Sequence, residues 1–420
     1  MKNKYIQSKN FCWILGGIFI LTILVVSCKK YDSLGFTPGT GAPAISSVHT
    51  WNKTDTTTRY DTVITYDASG NITNTLKQKS NRLNAFDSVT NAGNLGNEYI
   101  IYGSNLGSAI SVTFNGYSAY FNRALMTDQS IIVQVPSKTP YYGSQAKDSL
   151  VITTLYGKVS YKFSILPPAP SPSGYSNYNF VAGSQITLTG VGFASVTSVA
   201  LSGISGGTAT STVISQNDSV LVLKFPSTTI TRGVLVFSYT AVGTPKTAIA
   251  TQELVDVDNA YQIFTDDAQN GWGSWSWDAA GPSTKQVKSG IQSWNAQYTG
   301  GGYKPDGFVA GGGGATDGVP YSSSYSYLSF WVYGGSVDET PYIEWGNKGL
   351  ANGGANQINK ITVPANKWTY FKIPISTLLW NTSATNWAAN SSQYLNTVAF
   401  LMTSNTVTEQ LYFDDIILIK

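Results

Sequence analysis

The chain has 420 residues and carries 26 Lys and Arg against 23 Asp and Glu, a net charge of +3. Charged residues make up 12% of it, about half the usual share, and aromatic residues 13%. No basic block exists to neutralise nucleic-acid phosphates, and so many aromatic and β-branched residues exclude a disordered chain. The single histidine, His49, excludes multi-histidine metal sites and argues against Ser-His-Asp catalysis. Both cysteines, Cys12 and Cys28, lie near the start, so no disulfide or cysteine-rich zinc site exists downstream.

The N-terminus carries Lys2, Lys4 and Lys9 and no acid, followed by a charge-free apolar run from Phe11 to Val26. That run is shorter than the roughly 20 residues of a membrane-spanning helix and has the layout of a secretory signal. Its end, VVSC, resembles a bacterial lipobox. The resemblance implies removal of residues 1–27, lipidation of Cys28 and attachment to a membrane through acyl chains. Residues 28–42, rich in Gly, Pro and Thr, read as a flexible tether.

Beyond the tether, short runs of alternating β-branched and aromatic residues recur, separated by Gly, Asn, Asp, Ser and Pro. EYIIYGS, SIIVQVP, SLVITTL, VLVLKFP and GVLVFSYT are examples, and many such strands at short spacing predict β-sandwiches. An internal repeat organises them. Residues 96–116 align with 183–203 without a gap, matching Gly96 with Gly183, Gly103 with Gly190, Val112 with Val199 and Gly116 with Gly203. The strand around Ile131, Val133 and Val135 repeats around Leu221, Leu223 and Phe225. Pro43-x-Ile45, the stretch Gly103–Leu106 and Val112–Gly116 resemble the IPT/TIG family of immunoglobulin-like domains, and Gly190–Phe193 carries a weaker version. The reading gives one such domain over 43–166, with a polar insertion containing a DASGN hairpin turn, and a second over 167–257. A stiff Pro-rich linker at 167–173 joins them.

Residues 258–420 hold nine of the eleven tryptophans. The order of Asp266, Asp267, Gly271 and Trp272, then Phe330–Tyr333, then Phe413–Ile416 resembles jelly-roll carbohydrate-binding domains. With the tandem sandwiches and the lipobox, the whole resembles surface glycan-binding lipoproteins of SusC/SusD-type polysaccharide uptake systems. The resemblance implies an all-β chain of two immunoglobulin-like sandwiches and a jelly roll. It implies outer-membrane, cell-surface localisation, and transporter components and a polysaccharide as partners. In that family the immunoglobulin-like domains are spacers and the last domain binds glycan without catalysis.

Sugar faces are bound by exposed aromatic rings with polar groups beside them. In YLSFWVYG, strand parity puts Leu328, Phe330 and Val332 on one face and Trp331 and Tyr333 on the other. The aliphatic face is expected to be core, which leaves Trp331 and Tyr333 to line the opposite surface. A central strand buried on both sides is the other reading. In GWGSWSWD, Trp275 and Trp277 share a face among small neighbours. Trp345 follows Glu344, which can bond sugar hydroxyls, and Tyr303 sits in a glycine-rich stretch. The expected site is therefore Trp275, Trp277, Trp331, Tyr333, Trp345, Tyr303 and Glu344. Trp294, Trp368, Trp380 and Trp387 read as structural. With no Lys/Arg cluster in the segment, the expected ligand is a neutral glycan of β-glucan type. No cofactor is expected, although Asp266, Asp267, Asp414 and Asp415 together offer oxygen ligands for a structural calcium. A docking role on another protein is the alternative function. A depolymerase comes third, because no carboxyl pair stands out at the ~5–10 Å spacing of a glycosidase.

Overall fold

A computed structural model describes residues 36–54, 59–66, 69, 72–80, 83–347, 359–380, 385–403 and 405–420. The apolar leader and Cys28 lie outside the described residues. Among the described residues no helix is long and apolar enough to cross a membrane. The chain is all-β and divides into two compact units, one ending at Pro167 and one beginning at Pro168.

The first unit is an immunoglobulin-like sandwich. One sheet holds Ala44–Thr50, Glu98–Ser104 and Ser130–Gln134, with Glu98–Ser104 in the middle. The other runs in the order Gly157–Lys162, Ser149–Thr154, Ala109–Phe114, Tyr117–Ala119. Alternation along each strand sends Tyr99, Ile101, Val112, Phe114, Ile131, Val133, Leu150 and Ile152 into one core. The polar insertion pairs with itself. Asn52–Thr54 pairs with Leu83–Ala85, and Arg59–Tyr66 pairs with Ile72–Ser80. Tyr66 stands opposite Ile72; the DASGN turn expected between them lies, apart from Ser69, outside the described residues.

The second unit opens with another sandwich, whose core holds Ile186, Leu188, Val199, Leu201, Leu221, Leu223, Leu235 and Phe237. Thr208–Gln216 serves both of its sheets. Its first half pairs with Val196–Gly203 and its second half with Val220–Lys224, across a register shift between Val213 and Ser215. Ser171–Tyr175 is itself a strand, paired with Gln185–Val191. Part of the expected Pro-rich linker is thus an edge strand, a position where proline is tolerated.

The repeat has a physical basis at two of its glycines. Gly96 and Gly183 both adopt positive φ, 79° and 84°. Their N–H groups donate to Val135 and Phe225, residues that also repeat. At Gly103 and Gly190 a Cβ would come within 2.0 Å of the Ala44 carbonyl oxygen and 2.3 Å of that of Ser171, so only glycine fits. Gly116 and Gly203 are not equivalent. Asn115 and Gly116 form a two-residue hairpin turn between Phe114 and Tyr117, whereas Gly203 ends a longer strand.

The remainder of the second unit is a jelly roll of two facing sheets. One runs Ala280–Ser283, Ser293–Tyr298, Glu409–Ile419, Tyr327–Tyr333, Trp368–Pro374. The other runs Trp272–Ser276, Lys304–Ala310, Thr397–Met402, Tyr342–Gly346. Trp272, Trp294, Phe308, Phe330, Trp345, Trp380, Trp387, Phe400 and Phe413 fill the space between them.

Candidate functional site

The four-stranded sheet of the jelly roll organises the site. Trp275 stands opposite Gly307, Gly307 opposite Ala399, and Ala399 opposite Glu344. Residues directly opposite share a face, so these four form one row across the sheet. In the neighbouring row, which starts at Ser274 on the edge strand, Phe308, Val398 and Trp345 are core side chains. The Trp275 row therefore faces outward. A second outward row holds Pro305, Leu401 and Tyr342, and the Trp277 N–H donates to the Pro305 carbonyl at 3.2 Å. Small residues at Gly307 and Ala399 keep the middle of this face low between Trp275 on one side and Glu344 on the other.

Tyr303, just before the strand Lys304–Ala310, bridges that face. Its hydroxyl donates to Glu344 Oε1 at 2.6 Å, and its ring lies 5.6 Å from that of Trp277 at an interplanar angle of 56°. Trp277 is 58% exposed, while Trp275 and Tyr303 are half-buried. Glu344 is fully buried, and its Oε2 has no hydrogen-bond partner among the described residues. Burial holds its carboxyl above the usual carboxylate range, with the Tyr303 hydrogen bond opposing that rise. Burial and the neighbouring Glu344 push the Tyr303 phenol upward. The arrangement offers the Trp275, Trp277 and Tyr303 rings for an apolar surface, with the buried Glu344 carboxylate holding the Tyr303 ring through its hydroxyl.

Of the seven expected residues, four converge here: Trp275, Trp277, Tyr303 and Glu344. Trp345 does not. It alternates with Glu344 and so points into the core, where it is fully buried 5.6 Å from the Trp387 ring. Trp331 is on the outer side of its own sheet, as parity requires, but the second immunoglobulin-like sandwich covers it. Its ring stacks on Tyr178 at 5.3 Å, Lys288 Nζ lies 4.0 Å above it, and only 4% of the residue is exposed. The expected exposure of Trp331 and Trp345 is thus corrected. Tyr333 is half-buried on that other sheet, against Trp368 and Tyr412, and does not join the four.

The expected calcium ligands are engaged elsewhere. Asp266 Oδ1 accepts from the N–H groups of Ile291 and Gln292, and Asp267 Oδ1 from that of Ala268. Asp414 Oδ2 accepts from Lys288 and Ser289, and Asp415 Oδ2 from the Asn179 side chain. Among the described residues no group of three or more His, Cys, Asp or Glu is arranged to hold a metal ion. The carboxylates act as acceptors for loop backbone and for the joint with the second sandwich, which corrects the calcium expectation.

Two features escaped the sequence. Tyr342 shares the outward face with Glu344, as its place two residues earlier in the strand could have told. His49 lies between Ser47 Oγ, 3.0 Å from Nε2, and Asp87 Oδ1, 2.5 Å from Nδ1. These contacts sit where Thr50 and Thr90 exchange backbone hydrogen bonds with Ser88 and Val48, so they tie the opening strand to the segment that closes the insertion.

No family model matches the chain. A curated IPT/TIG domain-containing protein from Bacteroides ovatus is 33% identical over 119 residues, which is 28% of this chain and 24% of that protein. The chain thus spans about a quarter of the length of the curated relative it matches. The IPT/TIG resemblance is met in this relative. Among solved structures, a surface glycan-binding protein from Prevotella bryantii matches with a TM-score of 0.46 at 14% identity, covering 91% of this chain and 99% of that one. SGBP-B from a complex xyloglucan utilization locus in Bacteroides uniformis matches with a TM-score of 0.38 at 17% identity, covering 78% and 96%. A family 11 carbohydrate-binding module from Clostridium thermocellum, solved with a β-1,3-1,4-mixed-linked tetrasaccharide, matches with a TM-score of 0.26 at 20% identity, covering 38% and 94%.

Proposed function

We propose that this chain is a non-catalytic, cell-surface polysaccharide-binding lipoprotein that captures a neutral glycan of β-glucan type for an outer-membrane uptake system. The observation that carries the reading is the convergence of Trp275, Trp277, Tyr303 and Glu344 on the outer face of one sheet. Rings without a basic cluster suit a neutral sugar better than a uronic acid. A binding role is also supported by where the buried acids lie. Asp306 is on the core side, accepting from the Trp294 indole at 2.9 Å and from Ser276 Oγ at 2.7 Å. Glu344 is on the opposite face, so these two cannot flank one glycosidic bond as a hydrolytic pair must.

In this reading Cys28 holds the protein to the outer membrane by lipid, and SusC/SusD-type transporter components receive the captured chain. Xyloglucan and mixed-linkage β-glucan are the first probes to use, since relatives named above are associated with them. Titration calorimetry of the full chain with these polysaccharides tests the reading. Binding without release of reducing ends supports it. No binding across a broad glycan panel would overturn it in favour of docking on another protein.

A further inference from the structure

Beside the aromatic face lies an open trough of about 1040 Å³, just above the roughly 300–1,000 Å³ usual for ligand pockets. Thr299, Gly300, Gly302, Thr403, Thr406 and Thr408 are among its walls, and no charged side chain lines it among the described residues. The trough is continuous with the aromatic face through the chain itself. Tyr303 directly follows Gly302. Lys304 stands opposite Met402, which brings Tyr303 and Thr403 to the same end of the sheet. Asp278, the residue after Trp277, accepts from both the N–H and the hydroxyl of Thr299, at 2.7 and 2.8 Å. One wall is thus fixed to the segment that carries Trp277.

The lining chemistry is that of a hydroxyl reader. The hydroxyls of Thr403, Thr406 and Thr408 make no hydrogen bond among the described residues, and Thr406 and Thr408 are exposed. Glycines leave the backbone open beside them. Threonine hydroxyls both donate and accept, as sugar hydroxyls do. Asn405 holds the far wall in place. It is 5% exposed, and its Nδ2 donates to the carbonyls of Tyr298 and Val407 at 2.9 and 3.0 Å. Its Oδ1 has no hydrogen-bond partner among the described residues.

We propose that the aromatic face continues into this trough, which takes the hydroxyl-rich remainder of the same neutral glycan, so that the site reads a run of several sugars. The proposal rests on the glycan-binding reading above and adds to it a second contact zone and a dependence on ligand length. The test is calorimetry of the full chain with mixed-linkage β-glucan oligosaccharides from trisaccharide to nonasaccharide. It compares the parent, Thr406→Trp, which fills the trough, and the double variant Thr406→Val with Thr408→Val, which removes two hydroxyls and keeps the shape. Melting curves establish that the variants fold.

The expected result is affinity that grows with length in the parent. The double variant should lose about threefold to tenfold on the longest oligosaccharide, in line with one or two neutral hydrogen bonds. Thr406→Trp should lose at least as much, and neither variant should change trisaccharide binding. Parent affinity that saturates at the trisaccharide, or variants equal to the parent on the nonasaccharide, would overturn the trough while leaving the glycan-binding reading intact. A parent that binds no oligosaccharide or polymer in the panel takes down both.

Discussion

The Tyr303 hydroxyl donates to one oxygen of Glu344 at 2.6 Å, and the other oxygen is buried with no partner among the described residues. A buried acceptor left unmet costs about 1–3 kcal/mol. The Tyr303 bond holds that ring beside the ring of Trp277, the more exposed of the two. Trp277→Ala should therefore lower glycan affinity by about 2 kcal/mol, roughly thirtyfold. The melting temperature should hardly move, because this ring is 58% exposed. Calorimetry with thermal melting separates the two effects. A Trp277→Ala protein that binds as the parent does would remove the ring from the site.

Stability should fall as pH rises from about 4 to 8. Burial pushes Asp306 up to about 7 and Asp256 up to about 6. Asp414 and Asp415 are also raised, by burial first, with Asp415 adding to the rise at Asp414. A carboxyl whose folded pKa lies above its unfolded value binds more protons when folded. It contributes most to stability below the unfolded value, and that contribution is lost as pH climbs through the folded one. The melting temperature should thus be higher near pH 5 than near pH 8. Asp306→Asn keeps an acceptor for the Trp294 indole and should flatten part of the slope. A melting temperature that rises steadily from pH 5 to 8 would contradict this assignment.

The order of sandwiches was legible because β-strands write their periodicity into sequence and because Gly96, Gly103, Gly183 and Gly190 repeat for steric reasons. The site was half legible. Spacing put Trp275 and Trp277 on one face, and strand pairing turns that face away from the core; parity applied to Glu344 sends Trp345 inward. Parity alone cannot say which face of a strand another domain covers. Trp331 was lost for that reason, since Tyr178 lies 153 residues away in sequence and no local pattern announces their stacking.

That stacking makes the joint between the second sandwich and the jelly roll a testable object. Around Trp331, the Lys288 ammonium donates to the Ser176 carbonyl at 2.6 Å, and the Tyr370 hydroxyl to Asn179 Oδ1 at 3.1 Å. Lys372 pairs with Glu253 at 2.8 Å, and Val255 and Val257 pack with Ile417 and Ile419. A fragment of residues 168–420 should melt in one transition. Trp331→Ala should lower its melting temperature, since truncating a buried Trp typically costs about 3–5 kcal/mol. Glycan affinity should stay within about twofold of the parent, because the ring is not on the binding face. A thirtyfold loss of affinity with unchanged melting would restore Trp331 to the site.

Membrane attachment should depend on one atom, the sulfur of Cys28. The charge-free run Phe11–Val26 and the VVSC that closes its end argue for cleavage before a lipid-modified cysteine. One acyl chain gives only marginal membrane binding, so stable anchoring requires the two or more chains that such processing supplies. Cys28→Ala should leave the precursor unprocessed, or release a cleaved protein into the soluble fraction. Fractionation with an intact-mass measurement distinguishes these outcomes from the parent, which should carry acyl mass on its first residue. A Cys28→Ala protein that is cleaved at the same place and still sediments with membranes would mean that something other than lipid holds it there. The tether and the two sandwiches would then need a protein contact to keep the jelly roll at the surface.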